Sequence, residues 1–461
     1  MKDKDKGELE IIEKLFVDLF PICRSITGNG VRKTLKILQE KSQFNIKEIP
    51  SGTQCFDWIV PDEWNIEDAY IQNTNGEKII DFKKNNLHVV SYSTPIQRKM
   101  KFIELDSHLH SLPNMPCSIP YRTTYYKKDW GFCLKHDDLK KFNDAEEYNV
   151  VINSSLKPGN LTYGEFLIKG ELDDEIIFST YCCHPSMGND NLSGMILWLL
   201  LLRYLKCIKT KFSYRFIITP ETIGAISYLS ENKNNLNNVI GGYELTCVAG
   251  PNEFVYNSSF LGEHVIDKIA IETLNELNIK FKKKSFKPIG SDERQYSSPG
   301  FRIPIGLLCK DQFHNYDFYH TSSDNLDFIS SESLYKSYIL YTKIIQNLEK
   351  MDKNLLETVN ETNNSKSKFS FYLTLNPNCE PMLSKRKLYP ELGGTLFQPS
   401  SDTKKDKEKY VELLISILFY SDGHTSIEAI SLKTGFPEAD IEEMSEKLLK
   451  HNLLKRVNDD N

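Results

Sequence analysis

The feature that most constrains the fold is a strand–loop–helix segment over residues 175–205. A short apolar run ends at Tyr181, the loop Cys-Cys-His-Pro-Ser-Met-Gly-Asn-Asp-Asn-Leu-Ser-Gly follows, and a long apolar stretch begins at Met195. The short run is typical of a buried strand and the long one of a buried helix. His184 and Asp190 stand in the loop, where an imidazole nitrogen and a carboxylate oxygen can bind one metal ion. The segment therefore predicts a metal-binding turn.

Strand and helix patterns alternate on both sides of this segment. Strands are predicted near residues 149–152, 161–167, 214–219 and 239–246, and helices near 264–277 and 332–348. Strands that alternate with helices of this length indicate an α/β fold. We expect a mixed central sheet flanked by helices, of the zinc exopeptidase type, built from residues 1–55 and 148–350.

Two further units are predicted, because 461 residues exceed what one compact core serves. Residues 56–147 hold short alternating runs between Asn, Gly and Pro turns, which predicts an inserted β-rich domain. A polar stretch over 352–367 has the composition of a linker. Residues 368–461 show three short helical patterns and a final apolar run, which predicts a winged helix-turn-helix. Acidic side chains crowd its last helix, so packing or assembly is favoured over DNA binding.

Composition narrows the partners that we expect. The net charge of −6 gives no support for a nucleic-acid or anionic-membrane partner. The longest apolar run, residues 195–202, is far shorter than the roughly 20 residues that span a bilayer. The N-terminus has no signal-peptide pattern, and the ten cysteines lack paired spacing, which favours reduced thiols. We expect a cytoplasmic protein without nucleic-acid or membrane partners; a homo-oligomer stays open.

Three downstream side chains could complete a hydrolytic metal site. Glu221 and Glu244 stand at or just past the ends of predicted strands, and His320 stands in a polar loop before the last helix of the α/β region. Ligands of such sheets bind at the carboxyl ends of the strands, so these residues could converge with His184 and Asp190. A carboxylate that is not a ligand must accept the proton of the attacking water, and Glu221 is the candidate. Taken alone, Glu221 could instead cap the helix that follows it.

This order of residues resembles that of the zinc aminopeptidases with a phosphorylase/hydrolase-like α/β domain, which are related to glutaminyl cyclases. The likeness lies in Asp190-Asn-Leu-Ser-Gly, in Tyr-His320-Thr and in a Ser-Asp loop at residues 291–296, and it covers about residues 146–350. Across the whole chain, three further motifs resemble a group of zinc peptidase-like proteins with an inserted β-domain and a C-terminal winged helix. Those motifs are residues 21–30, 108–113 and 125–133. Members of that group are often described as polysaccharide-biosynthesis proteins.

The resemblance implies a zinc-dependent hydrolase of amide bonds. His184, Asp190, Glu244 and His320 would be the metal ligands, and Glu221 would be the general base. The substrate would be a peptide or an aminoacyl amide, and the inserted domain would limit access to the site.

Two positions depart from the family pattern. Ser186 stands where the family has an aspartate that orients the histidine, and Thr222 stands where it has the second glutamate of a pair. With fewer carboxylates, one zinc ion is favoured over two. Two alternatives therefore stay open. One is a different amide reaction, a deacylation or cyclisation linked to surface polysaccharide. The other is a degenerate binding or assembly protein without catalysis.

Overall fold

A computed structural model of the chain describes residues 3–312, 316–351, 371–389, 393–394 and 402–457. The linker predicted over 352–367 lies outside these residues. Among the described helices, none combines the length and the apolar character that a bilayer-spanning segment needs.

The described strands, in chain order, are β1 (Asn45–Pro50), β2 (Gln54–Cys55), β3 (Trp58–Ile59), β4 (Glu63–Gln72), β5 (Lys78–Asp81), β6 (Ile96–Lys101), β7 (Leu109–His110), β8 (Arg122–Thr123), β9 (Phe132–Cys133), β10 (Glu147–Lys157), β11 (Asn160–Ile168), β12 (Glu175–Tyr181), β13 (Ser213–Thr219), β14 (Val239–Glu244), β15 (Phe254–Asn257), β16 (Phe281–Lys284), β17 (Ile305–Cys309), β18 (Phe371–Thr374), β19 (Gly393–Gly394), β20 (Asp422–Ser426) and β21 (Leu454–Val457).

The described α-helices are α1 (Asp3–Leu19), α2 (Asn29–Lys41), α3 (Phe102–Leu105), α4 (Gly194–Leu205), α5 (Ile223–Asn232), α6 (Val265–Glu276), α7 (Glu293–Tyr296), α8 (Ser331–Lys350), α9 (Asp402–Tyr420), α10 (Ile427–Thr434) and α11 (Glu438–Lys450).

Eight of the described strands form one mixed sheet, in the order β1-β11-β13-β12-β14-β17-β15-β16. Its four central strands, β13, β12, β14 and β17, are parallel, and antiparallel neighbours flank them on both sides. Every residue of β12 is buried, as expected for a central parallel strand that is covered on both faces of the sheet. The predicted mixed sheet flanked by helices is confirmed.

The helix α4 holds the loop that contains Asp190 against the sheet. Its Trp198 is fully buried and makes edge-to-face ring contacts with Phe44 and Phe216, at centroid distances of 5.2 and 5.6 Å. A Cβ atom on Gly194 would lie only 2.2 Å from the carbonyl oxygen of Leu245. The helix can therefore begin this close to the end of β14 only with glycine at its first position.

Two smaller units accompany this sheet, as the sequence predicts. The β-rich unit contains a four-stranded antiparallel sheet in the order β5-β4-β10-β6. The C-terminal unit packs α9, α10 and α11 with the sheet β20-β18-β21, which is a winged helix-turn-helix arrangement. A short pairing of β19 with β8 joins the chain between β18 and α9 to the β-rich unit.

Asp57 attaches the segment that leads into the winged-helix unit. Its carboxylate accepts hydrogen bonds from the backbone N–H of Met382 at 2.8 Å, from Lys385 Nζ at 2.6 Å and from Arg386 Nη1 at 2.5 Å. Burial raises the pKa of Asp57, but the hydrogen bonds from Arg386 and Lys385 more than offset this effect. The pKa of Asp57 is therefore lowered in the folded protein.

We expect Asp57→Ala to loosen this attachment, because each hydrogen bond to a charged group is worth about 1.5–3 kcal/mol. In the wild type, a lowered folded pKa means that the attachment is complete above the unfolded value of about 3.9 and is lost as pH falls through the folded pKa. Limited proteolysis of residues 376–389 across this pH range measures both effects. Asp62→Ala, at an exposed neighbour, is the control. Equal cleavage of Asp57→Ala and wild type at neutral pH would contradict the prediction.

Candidate metal centre

Three neighbouring strand ends carry the predicted site residues. The strand β12 ends at Tyr181, shortly before His184, and β13 ends at Thr219, shortly before Glu221. Glu244 is the last residue of β14. Since β12 lies between β13 and β14 and all three are parallel, these ends meet at one edge of the sheet.

His184, Asp190 and His320 form a buried cluster at this edge. One ligand atom from each lies within 4.8 Å of the other two. His184 Nδ1 is 3.4 Å from Asp190 Oδ1, and His320 Nε2 is 3.0 Å from Asp190 Oδ2. The Asp190 carboxylate thus lies between two imidazoles, and its side chain is 0% exposed. The structure brings together three of the four predicted metal ligands.

These three residues fit a divalent metal ion. Neighbouring ligand atoms of a tetrahedral zinc site with bonds of about 2.0–2.2 Å lie about 3.3 Å apart. Each Asp190 oxygen is close to that distance from one imidazole, Oδ1 from His184 and Oδ2 from His320. Burial raises the pKa of Asp190, but the charge and hydrogen bonds of His184 and His320 more than offset it, so its pKa is lowered. The carboxylate is therefore ionised, as a metal ligand must be. Two nitrogens and one oxygen also leave a position for water.

Residues behind the cluster hold Asp190 in place, and the sequence analysis did not single them out. The Tyr181 hydroxyl donates to Asp190 Oδ1 at 2.5 Å and hydrogen-bonds Thr246 Oγ1 at 2.6 Å. The Asp324 carboxylate accepts the backbone N–H groups of Asn189 and Asp190, at 2.6 and 2.9 Å. Partners of this kind orient metal ligands and tune their affinity. The available signal was Tyr181, a polar-tipped side chain at the end of a buried strand.

Glu221 lies beside the cluster and borders the main cavity. Its Oε2 is 3.4 Å from His184 Nε2, while Ser291 Oγ donates to its Oε1 at 2.7 Å. The next residue, Thr222, has φ of +63°, a backbone region that β-branched residues disfavour. Its N–H donates to Asp292 Oδ1 at 2.7 Å, which holds this turn. One carboxylate oxygen of Glu221 is thus fixed and the other faces His184.

Glu244 lies outside both groups of potential metal ligands found among the described residues. It pairs in register with Ser179, two residues before Tyr181, and two strand residues correspond to about 6.6 Å. Burial and the nearby carboxylates Asp292 and Glu293 raise the pKa of Glu244 well above its usual value. The role of Glu244 as a ligand stays a prediction. Thr246, two residues after the end of β14, is the residue of this segment that hydrogen-bonds the Tyr181 hydroxyl.

Ser186 is engaged away from the cluster. Its hydroxyl donates to the carbonyl oxygen of Phe20 at 3.0 Å and accepts a hydrogen bond from Asn86 Nδ2 at 2.7 Å. This position therefore helps to hold the chain after α1 against the loop that carries His184.

A cavity of about 1300 Å³ opens in front of Glu221 and His320. All three units line it. The α/β unit contributes Glu221, His320 and Arg294, the β-rich unit contributes Tyr125 and Tyr126, and the C-terminal unit contributes Tyr389 and Glu412. The cavity therefore connects Glu221 and His320, of the candidate site, with both smaller units.

The fold is that of the zinc aminopeptidases. It matches the structure of a zinc aminopeptidase from Bacillus subtilis with a TM-score of 0.55 over 75% of this chain and 95% of that one, at 14% identity. The crystal structure of a proposed peptidase from Clostridium acetobutylicum matches with a TM-score of 0.73 and 41% identity over 98% of both chains.

The sequence defines the family more closely. Residues 13–351 match the model "Domain of unknown function (DUF4910)", and residues 370–456 match a winged helix-turn-helix model. A Clostridium acetobutylicum relative is 44% identical over 446 residues, which is 97% of this chain and 96% of the relative. It is named a proposed polysaccharide biosynthesis protein with an aminopeptidase-like domain. The chain belongs to the DUF4910 family.

Proposed function

We propose that this protein is a metal-dependent, aminopeptidase-like hydrolase of amide bonds. The observation that carries the proposal is the buried His184–Asp190–His320 cluster, with Glu221 beside it at the wall of a large cavity. The Asp190 carboxylate presents its two oxygens to two imidazoles, and two imidazoles with a carboxylate are a donor set for zinc.

His184, Asp190 and His320 would hold the metal ion, which supplies a water of lowered pKa and polarises the substrate carbonyl. Glu221 would accept the proton of that water at Oε2 and pass it to the leaving amine. Ser291 holds Oε1, so the Glu221 carboxylate keeps one orientation during the transfer. Burial of the cluster excludes bulk water from the ligands.

We propose zinc as the ion and one catalytic ion per chain. Two imidazoles and a carboxylate are a zinc donor set. Thr222 offers no carboxylate at the position of the family's second glutamate, and Glu244 lies outside the group of potential ligands that contains Asp190. These two features favour a single ion over a pair.

The substrate that we propose is a peptide or aminoacyl amide of considerable size. Small-ligand pockets usually measure about 300–1,000 Å³, and this cavity exceeds that range. The name of the Clostridium acetobutylicum relative connects it with polysaccharide biosynthesis, which favours an amide group carried on surface polysaccharide as a second candidate. Both candidates use the same metal and the same base.

The winged-helix unit would serve this cavity rather than nucleic acid. Glu438, Asp440, Glu442 and Glu443 are exposed on α11 and would repel phosphates. A duplex titration that shows salt-sensitive binding would contradict this part of the proposal.

The test of the proposed function is metal analysis of the purified chain together with a substrate screen. We expect bound zinc, removal of activity by a chelator and its recovery on adding zinc back. Aminoacyl anilides, free peptides and N-acylated peptides would be compared as substrates, and an unblocked amine should be preferred. A chain that neither binds a divalent ion nor hydrolyses any of these amides would contradict the proposal.

Ser291→Ala is expected to lower turnover about 10–100-fold, because it removes a hydrogen bond to a charged group worth about 1.5–3 kcal/mol. The loss should fall on kcat rather than KM, since the hydroxyl orients the base and not the substrate. Ser285→Ala, at a cavity residue without a hydrogen bond to Glu221, is the matched control. Equal kcat values for the two variants would contradict the assigned role of Ser291.

A further inference from the structure

A second group of potential metal ligands lies on the other side of His184. Cys183 Sγ, a nitrogen of His184 and a carboxylate oxygen of Glu221 lie within 4.8 Å of one another. Cys183 is fully buried, and the backbone N–H of Glu221 donates to its sulfur at 3.3 Å. Sulfur, nitrogen and oxygen together form a donor set for zinc and for softer ions such as cadmium.

The two groups share only His184, and they use different sides of its ring. His184 Nδ1 faces Asp190, whereas His184 Nε2 faces Glu221, each at 3.4 Å. The ring can therefore offer one nitrogen to each group. Asp190 and His320 belong only to the first group, and Cys183 and Glu221 belong only to the second.

Of the two adjacent cysteines, only Cys183 faces this group. Cys182 packs into the apolar core that contains Trp198, on one face of the sheet. Cys183 packs into the core that contains Tyr296, on the other face. The chain thus provides its own matched control, since both thiols are buried and are neighbours in sequence.

We propose that Cys183, His184 and Glu221 form a second metal site, selective for zinc and thiophilic ions, whose occupation inhibits the enzyme. The ion replaces the thiol proton of Cys183 and, when the first group already holds a metal through Nδ1, also the Nε2 proton of His184, which then bridges the two ions as an imidazolate; both protons pass to solvent. A Glu221 carboxylate bound to this ion cannot accept a proton from water, so amide hydrolysis stops. The inhibition rests on the proposed function, whereas the metal site itself does not.

The experiment is a cadmium titration followed by ultraviolet sulfur-to-metal charge transfer. It uses the full chain with the exposed Cys117 and Cys207 replaced by serine, so that surface thiols do not contribute. We expect the charge-transfer band in this background and in its Cys182→Ser derivative, and its loss in Cys183→Ser. A band that persists in Cys183→Ser, or is absent from the background protein, overturns the proposal.

Two further readouts keep the result independent of folding and of activity. Cadmium NMR of the background protein needs no change at Cys183, and a resonance in the range of nitrogen and oxygen ligands alone overturns the proposal. His320→Ala should keep the charge-transfer band, because His320 belongs to the other group; loss of the band there overturns the proposed separation.

Activity then distinguishes the two proposals. If the chain hydrolyses amides, excess zinc should inhibit the background protein and Cys182→Ser, and should inhibit Cys183→Ser much less. Hydrolysis without a sulfur band overturns the second site alone. A sulfur band without hydrolysis of any amide overturns the proposed function and leaves the site.

Discussion

Glu221→Gln is expected to lower amide hydrolysis by about 10²–10⁴-fold, the contribution that a positioned acid–base group makes. Glutamine keeps the shape of the side chain and can still accept the hydrogen bond from Ser291, which reaches Glu221 Oε1 at 2.7 Å. It cannot accept a proton from water. The metal bound by His184, Asp190 and His320 should remain, because Glu221 is not in that group.

Turnover and metal content are measured on the same preparation. Glu412→Gln is the control, since Glu412 lines the same cavity from the winged-helix unit, away from His184. This variant tests whether the loss of any negative charge in the cavity is enough to lower turnover. Hydrolysis by Glu221→Gln at the wild-type rate, with metal retained, would remove Glu221 from the role of base.

Asp190→Asn is expected to abolish both hydrolysis and metal binding by the His184–Asp190–His320 cluster. The change removes the only carboxylate of the cluster, whose two oxygens face His184 and His320. The loss of affinity should exceed the about 10–100-fold effect that replacing a residue behind the ligands produces. Tyr181→Phe, which removes the hydroxyl that donates to Asp190, should fall within that smaller range.

Competition with a chelator measures these affinities, and thermal unfolding gives an independent readout. A ligand that binds only the folded chain stabilises it by about 2.7 kcal/mol at a concentration of 100 times its Kd. In a Cys183→Ser background, which removes the sulfur of the second group, added zinc should therefore raise the Tm of the otherwise wild-type chain and of Tyr181→Phe, but not that of Asp190→Asn. An equal rise for all three proteins would place the ion elsewhere.

The elements that sequence patterns predicted best are the buried ones. The helix predicted from Ser193 to Leu205 is α4 (Gly194–Leu205), and the strand predicted at 214–219 is β13 (Ser213–Thr219). Every residue of α4 except Arg203 and Tyr204 is buried, and so is every residue of β13 except Arg215, because both faces are covered. The burial of such elements can be inferred from the residue types of the segment itself.

Strand β16 shows why other elements escaped prediction. Its residues, Phe281–Lys284, include three lysines, and no strand is predicted for this segment from the sequence. The strand lies at the edge of the sheet and pairs with β15, so it needs few buried side chains. Lysines are common on edge strands because they discourage pairing with other chains. The strand forms because it pairs with β15, more than 20 residues earlier in the chain, and a local sequence pattern does not contain that pairing.

In the candidate site, too, the residues could be predicted from local sequence, whereas their distances could not. Sequence order and residue type singled out His184, Asp190, Glu221 and His320, because strand ends and polar loops leave a local pattern. The distances among them, and the separation of Glu244 from them, depend on the pairing of β12 with β14. A shift of two residues in this register would place Glu244 opposite Tyr181 instead of Ser179.

The sequence by itself determined the α/β class, the strand-end loop that carries His184 and Asp190, and the chemical type of the site, since burial and turn residues act locally along the chain. Only the tertiary structure decided which side chains meet. Sheet order placed Glu221 at the nitrogen of His184 opposite Asp190, which stands in the same loop as His184, and the face of the sheet decided that Cys183, not Cys182, joins them. The physical reason is that these contacts join residues far apart in the chain.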